Sequence, residues 1–201
     1  MEEEPEKPKE KPSSTVLVFG EYENPPTEEL LDKGLYNVLK LRDIYMPHTF
    51  GRHEHKRFKK LELHVIERIA NKLALTKKAG GRKAGALKVV RKALQIVKEQ
   101  TKDNPMKAVL MAIQNSAPRE DTTRISYGGV VYFQSVDISP SRRMDVAIRN
   151  IVEGARQKSH KSPVTIEQAL AEEIILASRK DPKSYAVSRK EELERHAEAS
   201  R

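Results

Sequence analysis

Helix-start signals stand in front of one amphipathic stripe after another in this chain, and they leave few folds open. Asn104 followed by Pro105 reads as an N-cap with proline at the first helical position, leading into Met106, Val109, Leu110 and Ile113. Ser139–Pro140 does the same for Met144, Ala147, Ile148 and Ile151. Thr165-x-x-Gln168 and Ser188-x-x-Glu191 have the spacing of capping boxes, in which side chain and backbone satisfy each other's open groups. They open stripes carrying Ile166, Leu170, Ile174 and Ala177, then Leu193 and Ala197. Upstream, apolar residues recur at helical spacing from Glu28 to about Tyr45, from Leu61 to Leu75, and through Leu87, Val90, Leu94 and Val97. The pattern predicts a mainly α fold, a bundle of about six helices.

Two stretches break the habit. Thr15–Phe19 (TVLVF) is a short strand candidate closed by Gly20. Arg124–Ile138 is rich in β-branched and aromatic residues around Gly128-Gly129, a two-residue hairpin turn signal. With those glycines as the turn, Tyr127 pairs with Val130 and Ile125 with Tyr132 on one face. Ser126, Val131, Arg124 and Phe133 fall on the other. This predicts a protruding two-stranded β-ribbon over about 124–138, with one face packed on the helices or, alternatively, offered to a partner. Residues 1–14 are Pro- and Glu-rich and read as a disordered acidic arm, leaving 15–201 as a single domain.

Charge narrows the function. The chain carries 38 Lys+Arg against 29 Asp+Glu, and its first twelve residues are net −2, so the remainder is net +11. Between Thr76 and Lys92 stand seven basic residues and no acid: Lys77, Lys78, Arg82, Lys83, Lys88, Arg91 and Lys92. Solvated helix faces mix signs, because Glu–Lys pairs stabilise them. A uniformly positive run becomes favourable when a polyanion approaches. A second cluster holds Arg52, Lys56, Arg57, Lys59 and Lys60 against Glu54 alone. A third flanks the ribbon, with Arg119 and Arg124 before it and Arg142 and Arg143 after it. The last pair falls in a first helical turn, where cations oppose the dipole, so a compensating anion is expected there.

Catalysis finds no footing. Gly80-x-x-x-x-Gly85 has the glycine spacing of a phosphate-binding loop, but Ala86 and Leu87 stand where Lys and Ser/Thr are needed. His53-x-His55, with His48 nearby, lacks a carboxylate or second histidine pair at zinc spacing and sits among cations. Glu172, Glu173, Glu191, Glu192 and Glu194 read as solvated or helix-capping carboxylates. With no cysteine there is no thiolate nucleophile or disulfide scaffold. We expect no enzyme, no cofactor and no metal. The acidic start is unlike a signal peptide, and no apolar run suits a membrane span, which together predict an intracellular protein.

Gly80-Gly81-Arg82-Lys83, Asn104-Pro105 through Ala112–Asp121, Thr123-Arg124-Ile125, Val136–Pro140 with Arg142-Arg143, and Ser184-Tyr185-Ala186 through Arg195 to Arg201 form a series of ordered blocks. Together these blocks resemble the small-subunit ribosomal protein S-seven family. Phe19-Gly20, Met46-Pro47-His48 and Gly51-Arg52 point to its archaeal and eukaryotic branch. The resemblance runs from about Val16 to the end. It implies a cytoplasmic ribosomal protein that binds small-subunit ribosomal RNA, nucleates the subunit head, meets neighbouring head proteins and lies near exit-site tRNA and mRNA, without forming a homo-oligomer. Carried onto this chain, Arg52, Lys56, Arg57, Lys59, Lys60, Lys77, Lys78, Arg82 and Lys83 would grip RNA phosphates. The ribbon, with Arg119, Arg124, Arg142 and Arg143 around it, would reach toward RNA at the exit site. Relatives can carry basic residues along that ribbon where this chain has Tyr127, Tyr132 and Phe133, so contact there would rest on stacking and shape. The competing reading from the residues alone is a helix-turn-helix DNA-binding regulator, which would need a base-reading recognition helix and a symmetric dimer.

Overall fold

Helix α6 (Ile166–Ser178) is apolar on almost every side, and the bundle is assembled around it. Its alanines at 169, 171 and 177 are fully buried and let neighbouring backbones approach closely. The structure, a computed structural model, describes residues 16–26, 32–75 and 80–201. Around α6 stand α3 (Lys83–Thr101), α4 (Pro105–Ser116), α5 (Pro140–Ser159) and α7 (Tyr185–Glu198), while α2 (Val65–Ala74) packs on α3 and α5. A single turn, α1 (Lys33–Tyr36), and a 3₁₀ turn (Lys59–Glu62) complete the helical elements among the described residues. Leu94, Met106, Leu110, Ile113, Met144, Ile151, Leu170 and Ile174 form the fully buried centre, each drawn from the expected stripe. The mainly α bundle with a ribbon is what the patterning predicts.

Caps follow the sequence in two cases and depart from it in a third, while at Ser139 the helix starts where expected but without a side-chain cap bond. Asn104 accepts the Met106 N–H at 3.0 Å, and its side-chain amide donates to the Glu23 carbonyl. Thr165 and Gln168 form the reciprocal capping box. The expected box at Ser188–Glu191 does not form: α7 begins four residues earlier, capped by Ser184. Ser184 Oγ accepts from Val187 N–H and donates at 2.7 Å to Glu173, a fully buried carboxylate on α6. A tertiary partner therefore sets this helix start, not the local spacing. Glu173, expected at a solvated flank, also accepts the Ala186 N–H at 3.1 Å and faces Lys158.

Gly154 of α5 lies against this network. A Cβ there would stand 2.8 Å from the Tyr185 Cβ and 3.0 Å from the Glu173 carboxyl carbon. Gly154→Ala is expected to destabilise the protein by about 2 kcal/mol, because overpacking at a buried helix crossing outweighs alanine's better helix propensity. A fall in the urea midpoint checks this; an unchanged or raised midpoint would mean the crossing yields freely.

Upstream, two expectations are corrected. Residues 27–31 and Thr15 lie outside the described residues. Among the described residues, the helix expected to about Tyr45 is only α1, which closes in a turn before Lys40 bridges His64. Leu35, Val38 and Leu39 are buried all the same, because the Val38 and Leu39 N–H groups bond back to the Leu35 carbonyl and keep the apolar spacing within that short turn. The described part of the expected Thr15–Phe19 strand, Val16–Phe19, does not form one: Val18 bridges Tyr22 across a tight turn, and both pack into the core.

The ribbon is longer than expected. Strand β1 (Glu120–Tyr127) pairs antiparallel with β2 (Val130–Asp137), with Tyr127 opposite Val130 and Ile125 opposite Tyr132. Gly128 and Gly129 have φ of 58° and 83°, the left-handed pair that a tight hairpin turn needs. Among the described residues only the base packs, on α7 through the Arg119 N–H to Glu194 and the Arg201–Glu120 pair, and on α5 through Arg142 and Asp121. Beyond it both faces are bare, with Tyr127 82% exposed and Phe133 on the opposite face 62% exposed. Packing of one face on the helices, the first of the two readings, does not occur.

Candidate nucleic-acid interface

The three basic clusters are far apart in sequence, and two buried or half-buried carboxylates draw them together. The first is Glu67 on α2. Its Oε1 accepts the Thr49 N–H and the Thr49 hydroxyl, both at 2.8 Å, and pairs with Lys83 at the start of α3. Thr49 begins the basic loop that contains Arg52–Lys60, and Lys83 ends the glycine-bearing segment. One carboxylate thus ties the first cluster to the second. Burial alone would raise the Glu67 pKa; the bonds from Lys83 and Thr49 more than offset it and hold the carboxyl below its ordinary value.

Asp145 on α5 is the second hub. It accepts Lys60 and Arg68 at 2.7 Å each, joining the 3₁₀ turn and α2 to the first turns of α5. Burial would raise its pKa, but these two cations hold it below the ordinary value. Arg142 stands one turn before Asp145 on that helix, so the third cluster adjoins the first. Arg149 follows seven residues after Arg142, on the same helix face, and is exposed with no ion-pair partner among the described residues. Sequence reading passed over it, though the seven-residue spacing from Arg142 is the signal that finds it.

The internal pairs sort the basic residues. Arg52, Lys56, Arg57 and Arg82 are exposed, and none has an acidic partner within ion-pair distance among the described residues. Lys59 is partly exposed, and Arg124 is exposed on the ribbon. Lys60 and Lys83 are engaged with Asp145 and Glu67. Arg143 is buried, donating to the Pro118 carbonyl at 3.1 Å and to Asp32 at 3.0 Å. Arg142 pairs with Asp121 at 3.2 Å, and Arg119, largely exposed, lies 3.9 Å from Asp32. The anion expected to compensate Arg142 and Arg143 therefore comes from this chain itself, which leaves Arg143 little surface for an outside one. The Asp32 pKa is lowered chiefly by its bond to Arg143.

The acid-free run is divided in the same way. Arg91 pairs with Glu21 and Lys92 lies 3.8 Å from Glu167, so acids elsewhere in the chain neutralise part of it. Lys88 is exposed with no such partner among the described residues. Lys77 and Lys78 lie outside the described residues.

The field that remains is positive and has consequences for other groups. Lys190 on α7 has its pKa lowered, mainly by burial; Glu194 opposes this, while Lys180, Arg119 and Arg143 add to it. Sequence reading did not single out Lys190, because only the fold brings it beside the ribbon base. Around the basic loop, aromatic rings accompany the charges. Phe50 is 79% exposed with His48 beside it at 4.1 Å between ring centres, and Phe58 is 62% exposed with the Arg57 guanidinium 5.0 Å from its centre. His48 Nδ1 accepts the Phe50 N–H and His53 lies 3.4 Å from the Thr49 hydroxyl, so these histidines serve the loop's own geometry.

Such a surface suits a polyanion with phosphates and open bases. No helix among the described residues is long and apolar enough to cross a membrane. Comparison with known proteins is specific. The family model described as "Ribosomal protein S7p/S5e" matches residues 37–201. The chain is 46% identical over 187 residues to the "Small ribosomal subunit protein uS7" of Methanococcus vannielii, covering 92% of this chain and 96% of that one. Proteins of the same name from two strains of Methanococcus maripaludis are each 45% identical, over 92% of this chain and 99% of theirs. With a family model matching over four-fifths of its length and full-length relatives near half identity, the chain belongs to the ribosomal protein S7p/S5e family, as a structural protein of the small ribosomal subunit.

Proposed function

We propose that this protein binds small-subunit ribosomal RNA through the surface where its basic clusters converge. The observation that carries the reading is the convergence itself. Glu67 and Asp145 gather the basic loop, the start of α3 and the start of α5, and consume Lys83, Lys60 and Arg68 in doing so. Arg52, Lys56, Arg57, Arg82, Arg142 and Arg149 are left on the outside. Lys59, Lys77 and Lys78 belong to the same proposal by their place in the sequence. Structured RNA is read largely through phosphates, sugars and shape, which separated cations on a rigid helical scaffold can match. Binding there would nucleate the subunit head alongside neighbouring head proteins, with one copy of the chain per subunit. The ribbon, bearing Arg124, Tyr127, Tyr132 and Phe133 beyond Arg119 and Arg142, would extend toward exit-site tRNA and mRNA.

Affinity for transcribed small-subunit RNA should fall steeply with salt, with a log–log slope of about −0.7 to −0.9 per phosphate contact. Replacing Arg52, Lys56, Arg57 and Arg82 together with alanine should flatten that slope by about 3 units. An unchanged slope would remove this surface from the interface. Duplex DNA binding with the same affinity would favour the DNA-regulator reading.

A further inference from the structure

The basic loop carries two features that phosphate binding does not require. Phe50 and Phe58 are among the most exposed large apolar side chains described, and both sit on left-handed backbone, at φ of 52° and 60°. Bulky side chains avoid that region, and here no burial of the ring compensates for it. Each ring is backed on one side by a polar group, His48 for Phe50 and Arg57 for Phe58. The Phe50 backbone is held by the His48 ring, and the residue before it is anchored on buried Glu67. The rings are therefore presented on a fixed base.

Beside each ring is a cleft. One of about 360 Å³ is bordered by His48, Phe50, Arg52 and His53, the other of about 320 Å³ by Lys56, Arg57 and Phe58. Lys59 and Glu62 line both, so the two clefts share a wall that carries an ammonium group beside a carboxylate, the latter paired with Arg42 at 3.4 Å. We infer that Phe50 and Phe58 are stacking platforms for two unpaired nucleobases of a single-stranded RNA segment, with Lys59 meeting the backbone phosphate between them. Single-stranded RNA is the occupant that fits, because an unpaired strand joins flat bases to regularly spaced negative charge, RNA is the polyanion already assigned to this surface, and the loop offers rings interleaved with cations. A protein neighbour would use the rings as apolar plugs, a role leucine fills as well as phenylalanine, whereas a base needs the flat aromatic face.

The inference rests on the RNA-binding reading, and the test separates the two. Full-length F50A/F58A is compared with wild type for binding to transcribed small-subunit RNA across a salt series, beside F50L/F58L and F50W/F58W. Loss of a stacked base should weaken binding about 5- to 150-fold for each base engaged, with the salt slope unchanged. Tryptophan should restore affinity and leucine should not. Because both rings are exposed, thermal midpoints should match wild type; should the alanine variant fold poorly, F50G/F58G suits the left-handed backbone and replaces it. Binding within twofold of wild type overturns the inference and leaves the phosphate reading intact. So does full rescue by leucine, or normal RNA binding with failure to enter subunits assembled from purified components, either of which would mean that a protein covers the rings. No salt-dependent RNA binding by wild type would defeat the broader reading and this one with it.

Discussion

Glu67→Ala is expected to cost about 3–5 kcal/mol of folding stability, read as a large fall in the guanidinium midpoint. The carboxylate is essentially unexposed and is the common acceptor for Lys83 and for both donors of Thr49. Its removal strands a mostly buried ammonium and an amide in the interior, and leaving such groups unpaired costs more than their pairing stabilises. The converse follows. Replacing both members, as Glu67→Gln with Lys83→Met, should recover most of the loss, since no uncompensated charge is left behind. Near-additive losses in that cycle would mean the two residues do not act as a pair. A loss below about 1 kcal/mol for Glu67→Ala would show that water reaches the site in solution.

Acid sensitivity centred on His64 is the second large effect. His64 is buried at the N-cap of α2, where its Nδ1 accepts the Ile66 N–H, a role only the unprotonated nitrogen can fill. Burial is the main cause that pushes its pKa down to about 4, against smaller upward pulls from Glu67 and Asp43. The unfolded chain, with an ordinary value of 6.5, takes up the proton first as pH falls. Stability is therefore complete above pH 6.5 and declines as pH drops toward 4, by about 3 kcal/mol in all. Glu67 adds a separate loss at lower pH, because a carboxylate held below its ordinary 4.5 contributes above that value and fails as pH falls further. The window from 4.5 to 6.5 isolates the imidazole. His64→Asn keeps a cap acceptor and should flatten the slope of unfolding free energy against pH in that window. An unaltered slope would assign the effect to other groups.

These two hubs also mark where sequence reasoning reaches its limit. Asn104, Thr165 and Gln168 announce helix starts because the groups they satisfy lie within three residues of them. Gly128-Gly129 sets the ribbon register because a two-residue turn leaves no freedom in pairing. Ser184, by contrast, is recognisable as a cap only beside Glu173 of another helix, and His64 only once Val65 is known to begin one. The three cationic clusters were legible as clusters. Which cations are committed internally was not, since Glu67–Lys83, Asp145–Lys60 and Asp32–Arg143 join residues 16, 85 and 111 positions apart. The single turn at Lys33–Tyr36 was hidden for a related reason, as one helical turn with its closing bonds to Leu35 buries Leu35, Val38 and Leu39 at the same spacing a longer helix would.

The ribbon between Glu120 and Asp137 has a consequence for the life of the chain outside its particle. A two-stranded sheet has two open edges, and along most of this one neither edge nor face is covered by the helices. Unpaired strand edges beside exposed Tyr127, Tyr132 and Phe133 are a template for a second ribbon to add on. Free chains at high concentration would self-associate through this hairpin, whereas a chain whose ribbon is occupied could not.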